Sequence, residues 1–296
     1  MHKILKSTIR WGSYPVIAGI CAVAQLTVLY QQLPYWPLAP LISVIGIVCV
    51  ALLERVQPYQ RTWLSDHDDT LADVLHAFTS LSLIFLSIEI VELTREFLPV
   101  STLWPNNAPL LLQVVIVGLI IDFGLWAMHW LSHKNLFLWK LHALHHSSER
   151  LYWLNGERRH PLSALALALP GISVAVMLGA PANLIGTWLS IVAVHLAFQH
   201  ANLDYRLGIF CKFLAVAEIH RWHHKREYED AQVNYGEFWL IWDHLFGTFR
   251  NEINTITAGE VGMRDEMPTQ YLAQMKWPFS QSASDIKASE ATNEIT

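Results

Sequence analysis

Apolar residues fall in long blocks along this chain rather than alternating with polar ones. Six blocks run from Pro15 to Leu33, Leu38 to Leu53, Ala72 to Leu93, Ala108 to Met128, Leu162 to Leu178 and Ala182 to Phe198. Several approach the ~20 residues that carry a helix across a bilayer core, while the second and fifth are short enough to tilt, pair or re-enter. The breaks at Pro34–Pro37 and Gly179–Pro181 predict tight connections between paired helices. The pattern predicts an all-α, multi-pass membrane protein with about four to six membrane-embedded helices. The polar segments after Met128 and Phe198 would form a cap at one membrane face.

Composition agrees with a membrane protein. Hydrophobic residues make up 53% of the chain and charged residues 15%, against about a quarter charged in an ordinary soluble protein. Lys3, Lys6 and Arg10 precede the first block, which places the N-terminus in the cytoplasm by the positive-inside rule. Threading six crossings from there leaves Arg95 as the one basic residue on the far side, with Glu89 and Glu92 near that end. The expected location is a bacterial inner membrane or the endoplasmic reticulum, with the cap in the cytosol. Ala22-Val23-Ala24 is like a signal-peptide cleavage site, but the apolar run continues and a second follows, so the segment is read as a membrane helix. A net charge of −5 with no basic stripe argues against nucleic acid as a partner. Cys21, Cys49 and Cys211 have neither disulfide-framework nor metal-site spacing and read as packing residues. Trp36, Trp104, Trp130 and Trp139 near the block ends fit interfacial aromatic belts.

The candidate chemistry lies in histidine spacing. His-x-x-His-His occurs twice, at His142, His145, His146 and at His220, His223, His224, with His129 and His133 just upstream of the first copy. Positions i, i+3 and i+4 share a helix face, so each copy is expected to point three imidazoles at one spot. Imidazole is the commonest side-chain metal ligand, and a metal-free cluster of eight would be a costly mass of buried polar groups. Eight also exceed the four positions of a closed zinc site, so two ions sharing them is the natural count. Ligand type alone does not separate iron from zinc. The eight are the candidate catalytic and metal-ligating residues. His200, returning to the same face after the last block, is a ninth candidate ligand. His160, His195 and Asp122 are candidates as ligands or as supports to one. Asp122 lies seven residues before His129 on the same helix face, where a carboxylate could fix the ring's tautomer. His2, His67, His76 and His244 stand alone and read as ordinary interfacial or packing residues.

Ordered along the chain, these motifs resemble the fatty acid hydroxylase / sterol desaturase superfamily of membrane histidine-box di-iron oxygenases. The matching segments are His129-Trp-Leu-Ser-His133, Trp139-Lys-Leu-His-Ala-Leu-His-His146-Ser, Arg158-Arg-His-Pro-Leu162 and Gln199-His-Ala-Asn202. They continue in His220-Arg-Trp-His-His224, Asn234-Tyr-Gly236 and Trp242-Asp-His-Leu-Phe-Gly-Thr248, and Met267–Phe279 is similar to the family's C-terminal stretch. The resemblance spans residues 70 to 279. It implies a helical anchor under a cytosolic cap holding two iron ions, with O2 as co-substrate and a lipid substrate entering from the bilayer. It assigns the eight box histidines and His200 as ligands, while His195 only approximates a histidine that some members carry. No His-Pro-Gly-Gly motif of a fused cytochrome b5 domain occurs, so the implied electron donor is a separate cytochrome b5-like protein or a ferredoxin/reductase. The expected organisation is an N-terminal membrane hairpin and linker over 1–70, a catalytic domain over 71–279, and over 280–296 a disordered tail. The rival from another class is a histidine-rich zinc protein, a transporter or a hydrolase; the chain lacks His-Glu-x-x-His and gathers its histidines at one face rather than along a path.

Overall fold

The computed structural model describes residues 2–95, 103–252 and 255–280. Apart from Ser280 the expected disordered tail over 280–296 lies outside the described residues, as do the side chains of His2, Glu89, Glu92 and Arg95. Ten α-helices and no strands occur among those described: α1 (His2–Tyr30), α2 (Tyr35–Val56), α3 (Thr70–Arg95), α4 (Leu110–Lys134), α5 (Leu136–His146), α6 (Pro161–Met177), α7 (Ala182–His200), α8 (Ala217–His223), α9 (Ile241–Phe246) and α10 (Tyr271–Lys276). Four of them, α1, α2, α4 and α7, are long and apolar enough to cross a membrane, and α6 is apolar but shorter. The protein is a multi-pass, all-helical membrane protein, within the expected range of embedded helices.

Burial separates the roles of these helices. In the most apolar windows of α1 and α2 only 28% and 22% of residues are buried, against 67% in α7. The first two therefore present apolar faces outward, as lipid contact requires, and α7 is the central post. Since lipid tails are as apolar as leucine, close packing and interhelical hydrogen bonds join such helices. Gln25 Nε2 donates to Ala39 O at 2.8 Å, and Ser43 Oγ donates to Ser190 O at 3.0 Å, linking α1 to α2 and α2 to α7. Tyr35 OH donates to Gly186 O where α2 and α7 begin, while Gln57 Nε2, just past α2, donates to Asp204 O, just past α7. Arg206 N in turn donates to Arg10 O near the start of α1. The start of α1 and the ends of α2 and α7 thus lie together at one end of the bundle.

Between α4 and α6 the backbones nearly touch. A Cβ on Gly171 would stand 2.7 Å from Ile121 O and 2.8 Å from Ile121 Cα, and one on Gly124 would stand 2.5 Å from Gly171 N. No rotamer change relieves a clash with backbone, so the helices must separate. Gly171→Ala is expected to destabilise the protein by about 1–3 kcal/mol, the usual scale of overpacking. Thermal unfolding in detergent checks this; an unchanged midpoint would show that the crossing is loose.

Boundaries differ from the apolar blocks where polar residues ride on helix ends. α4 continues past Met128 to Lys134, so His129 and His133 lie in the last turns of a membrane helix. Asn135 then ends α4 and caps α5, its Oδ1 accepting from Leu138 N at 3.1 Å. This sharp turn folds His142–His146 back onto His129 and His133. His160 caps α6, with Pro161 in the first turn, where a missing N–H costs nothing. Two of the four tryptophans expected in interfacial belts are instead buried: Trp104 donates to Gln113, and Trp139 packs on the His133 and His146 rings. Trp36 is exposed.

Candidate metal centre

Nine buried histidines converge at the capped end of the bundle in two groups. One holds His129, His133, His142, His146 and His223; the other holds His145, His200, His220 and His224. The nine are the eight box histidines and His200. The expectation that each His-x-x-His-His points three rings at one spot is corrected: each box divides between the two groups. The reason is angular. At 100° per residue, i and i+4 lie 40° apart on a helix, whereas i+3 and i+4 diverge by 100°. So His142 and His146 face one group and His145 the other, while His220 and His224 face one group and His223 the other.

Hydrogen bonding fixes which nitrogens face inward. Only an N–H can bond a carbonyl, so Nδ1 of His129 donates to Tyr235 O and Nδ1 of His223 to Val233 O, both at 2.8 Å. His200 Nδ1 donates to Leu196 O at 3.1 Å. Each neutral ring then has a bare lone pair at Nε2. The Nε2 atoms of His129 and His223 nevertheless face each other at 2.7 Å with no proton to share. In the other group, His220 Nε2 stands 3.0 Å from that of His200 and 3.1 Å from that of His224. Nitrogens bound at about 2.0–2.1 Å to one ion stand about 2.9 Å apart at right angles and about 3.4 Å apart at the tetrahedral angle. Two bare lone pairs at 2.7 Å repel unless a cation lies between them, and the spacings in the other group match nitrogens bound to one ion, so the donor set fits two metal ions. His133 departs from the pattern: the group facing its Nδ1 is the Gln232 amide nitrogen, at 3.2 Å.

Electrostatics favours the ligating form. Burial, and then the neighbouring imidazoles, hold His142, His145, His146, His220 and His224 well below the ordinary histidine range. His223 is held down by burial and by His129. These rings are neutral at pH 7, as metal binding requires.

The other sequence candidates lie elsewhere. Both nitrogens of His195 are engaged, Nδ1 with Tyr14 OH at 2.7 Å and Nε2 with Ala215 O at 3.1 Å. His160 accepts from Leu162 N and reaches Met275 O. Neither joins a group. Asp122 bonds no histidine; it accepts from the backbone N–H groups of Phe238 and Trp239 and from Trp242 Nε1. It thereby pins the 235–242 segment, whose Tyr235 carbonyl orients His129, to α4. The acid beside His129 is Glu237, with Oε1 at 3.5 Å from Nδ1. Glu237 follows Asn234-Tyr-Gly236 and lies outside the histidine boxes, so it is folding rather than sequence spacing that sets it beside His129. His76 and His244 bond to Gln274 and Lys212 O, away from both groups, and His67 is exposed.

The site and fold define a class: multi-pass helical membrane proteins closed at one end by a buried, histidine-built centre that could hold metal. Residues 114–248 match the family model described as Fatty acid hydroxylase. The chain is 32% identical over 248 residues to ornithine lipid hydroxylase OlsE of Rhizobium tropici, covering 79% of this chain and 73% of that protein. It is also 30% identical over 146 residues to human alkylglycerol monooxygenase, covering 47% of this chain and 31% of that protein. Methylsterol monooxygenase 1-1 of Arabidopsis thaliana is 26% identical over 203 residues, 66% of this chain and 65% of that protein. No solved structure matches. The chain belongs to the fatty acid hydroxylase family, within the fatty acid hydroxylase/sterol desaturase superfamily.

Proposed function

We propose that the protein is a membrane di-iron oxygenase that hydroxylates a lipid, using O2 and electrons from a separate donor such as a cytochrome b5-like protein or a ferredoxin with its reductase. The observation that carries this reading is the pair of buried histidine groups, in which His129, His223 and His200 turn bare Nε2 atoms inward. One oxygen atom enters a C–H bond and the other leaves as water, consuming two electrons and two protons. When bound, iron supplies the oxidation of an unactivated C–H bond, chemistry that side chains lack. The chain's own residues do the rest. Nine imidazoles hold the ions, the carbonyls of Tyr235, Val233 and Leu196 hold three rings in the ligating tautomer, and the buried setting keeps water from the reacting atoms.

The names of the relatives support hydroxylation over desaturation, and that of the ornithine lipid hydroxylase supports a polar membrane lipid as substrate. We take the ornithine lipid class as the first to test, because the ornithine lipid hydroxylase aligns with most of the chain. Lys3, Lys6 and Arg10 near the capped end support a cytoplasmic position for the centre. In membranes given iron, 18O2 and a reducing system, the chain is expected to hold about two irons, the count that two ligand groups imply. It is expected to add one 18O atom to ornithine lipid. Tightly held zinc, with no oxygenated product from ornithine lipid, alkylglycerol or methylsterol, would overturn the assignment in favour of a zinc protein.

A further inference from the structure

A cavity of about 210 Å3 lies among α2, α4, α6 and α7, touching Leu81 of α3. Its walls are membrane-helix residues such as Val44, Leu125, Leu167 and Leu196, but Glu157, Arg159 and Glu237 also line it. Arg159 is already engaged: its NH2 bonds both oxygens of Glu237, at 3.3 and 3.1 Å, and its Nε donates to Gly156 O at 2.8 Å. The Glu157 carboxylate has no hydrogen-bond partner among the described residues. Glu237 therefore takes the Arg159 guanidinium, and the Glu157 carboxyl faces a largely apolar chamber without a counter-ion of its own. This charged end adjoins the metal centre. Glu237 Oε1 stands 3.5 Å from His129 Nδ1, and a Cβ on Gly156 would stand 3.1 Å from His200 Nδ1.

We propose that Glu157 is a specificity-determining residue that receives a positively charged amino group of the lipid, so that the substrate lies in this cavity with its cationic end toward the histidines. An uncharged chain end placed there would leave the Glu157 carboxyl without a hydrogen-bond partner. A fatty-acid carboxylate would find the nearby guanidinium already paired with Glu237. An ammonium both neutralises Glu157 and donates hydrogen bonds to it. Held this way, the carbon presented to the centre belongs to the polar half of the lipid rather than to the far end of an acyl chain. This inference rests on the oxygenase reading only in taking a lipid as the occupant.

The test is equilibrium binding to the full chain in detergent, with octadecylamine, octadecanol and octadecanoic acid as probes. Octadecylamine is expected to bind about tenfold or more tightly than the other two, a single charged contact being worth that much. Glu157→Gln should erase the preference without changing octadecanol affinity or metal content, and Glu157→Asp should keep it should the Gln variant fail to fold. Ala193→Phe, which fills the cavity, should abolish binding of all three. Unchanged preference in Glu157→Gln, equal binding of the three probes by the wild type, or full binding by Ala193→Phe would each overturn the proposal. An amine preference without lipid oxygenation would leave it standing and defeat the oxygenase reading; oxygenation without the preference would do the reverse.

Discussion

Exchanging His145 for alanine and exchanging its neighbour His146 for alanine should damage different halves of the same centre. His145 belongs with His200, His220 and His224, whereas His146 belongs with His129, His133, His142 and His223. His145→Ala leaves three imidazoles in its group, one fewer than the four ligands of a closed tetrahedral site. His146→Ala leaves four, so the first variant is expected to lose one metal outright and the second to hold its metal more weakly. Outer partners of metal-bound histidines are themselves worth 10–100-fold, so loss of a ligand should lower lipid hydroxylation by at least about 100-fold in both cases. Metal analysis per chain and turnover of 18O2 into lipid check the pair. Two firmly held metals and wild-type turnover in either variant would sink the assignment of that residue. Membrane insertion should be unchanged, because neither ring is part of the apolar blocks.

Much of this arrangement was legible in the sequence, and the remainder failed for identifiable reasons. Long apolar blocks declare membrane helices because lipid leaves the backbone few alternatives. The boxes declare themselves because helical spacing makes three histidines neighbours. Their division between two groups was missed because a shared face was treated as a shared point, although the 100° between His145 and His146 is a property of any helix. The carbonyls of Tyr235 and Val233 that fix His129 and His223 belong to the backbone, so no side-chain motif marks them. Asp122 has the helical spacing to support His129, but Phe238 and Trp239 claim it from a segment more than a hundred residues away. His195 and His160 look like ligands in sequence and act as polar ties, because Tyr14 and Met275 reach them from distant helices. Glu157, Arg159 and Glu237 meet only in three dimensions.

The largest stability loss is expected from Asp73→Ala, far from any ligand in sequence. Asp73 is fully buried at the start of α3 and pairs with Arg158, which is also buried. Its other oxygen accepts from Tyr152 OH at 2.7 Å and from Asn155 Nδ2 at 3.2 Å. Arg158 in turn donates through Nε to Leu144 O at 3.2 Å and through NH2 to Ser147 Oγ at 3.1 Å, gripping the last turn of α5 on either side of His145 and His146. Removing one partner of a buried ion pair leaves the other charge uncompensated and costs about 3–5 kcal/mol, although the intact pair adds little over an apolar substitute. Asp73→Ala should therefore lower the unfolding midpoint sharply and loosen metal retention through the frayed turn. The double variant Asp73→Leu with Arg158→Met should recover much of the midpoint, because no charge is left stranded, yet recover less of the metal, because Leu144 and Ser147 have lost their tie. Thermal unfolding and metal content of the three proteins separate these effects. A single variant as stable as the wild type would mean that water already reaches Arg158, and a double variant no better than the single would mean that the hydrogen bonds from Tyr152 and Asn155, rather than the charge pair, carry the network.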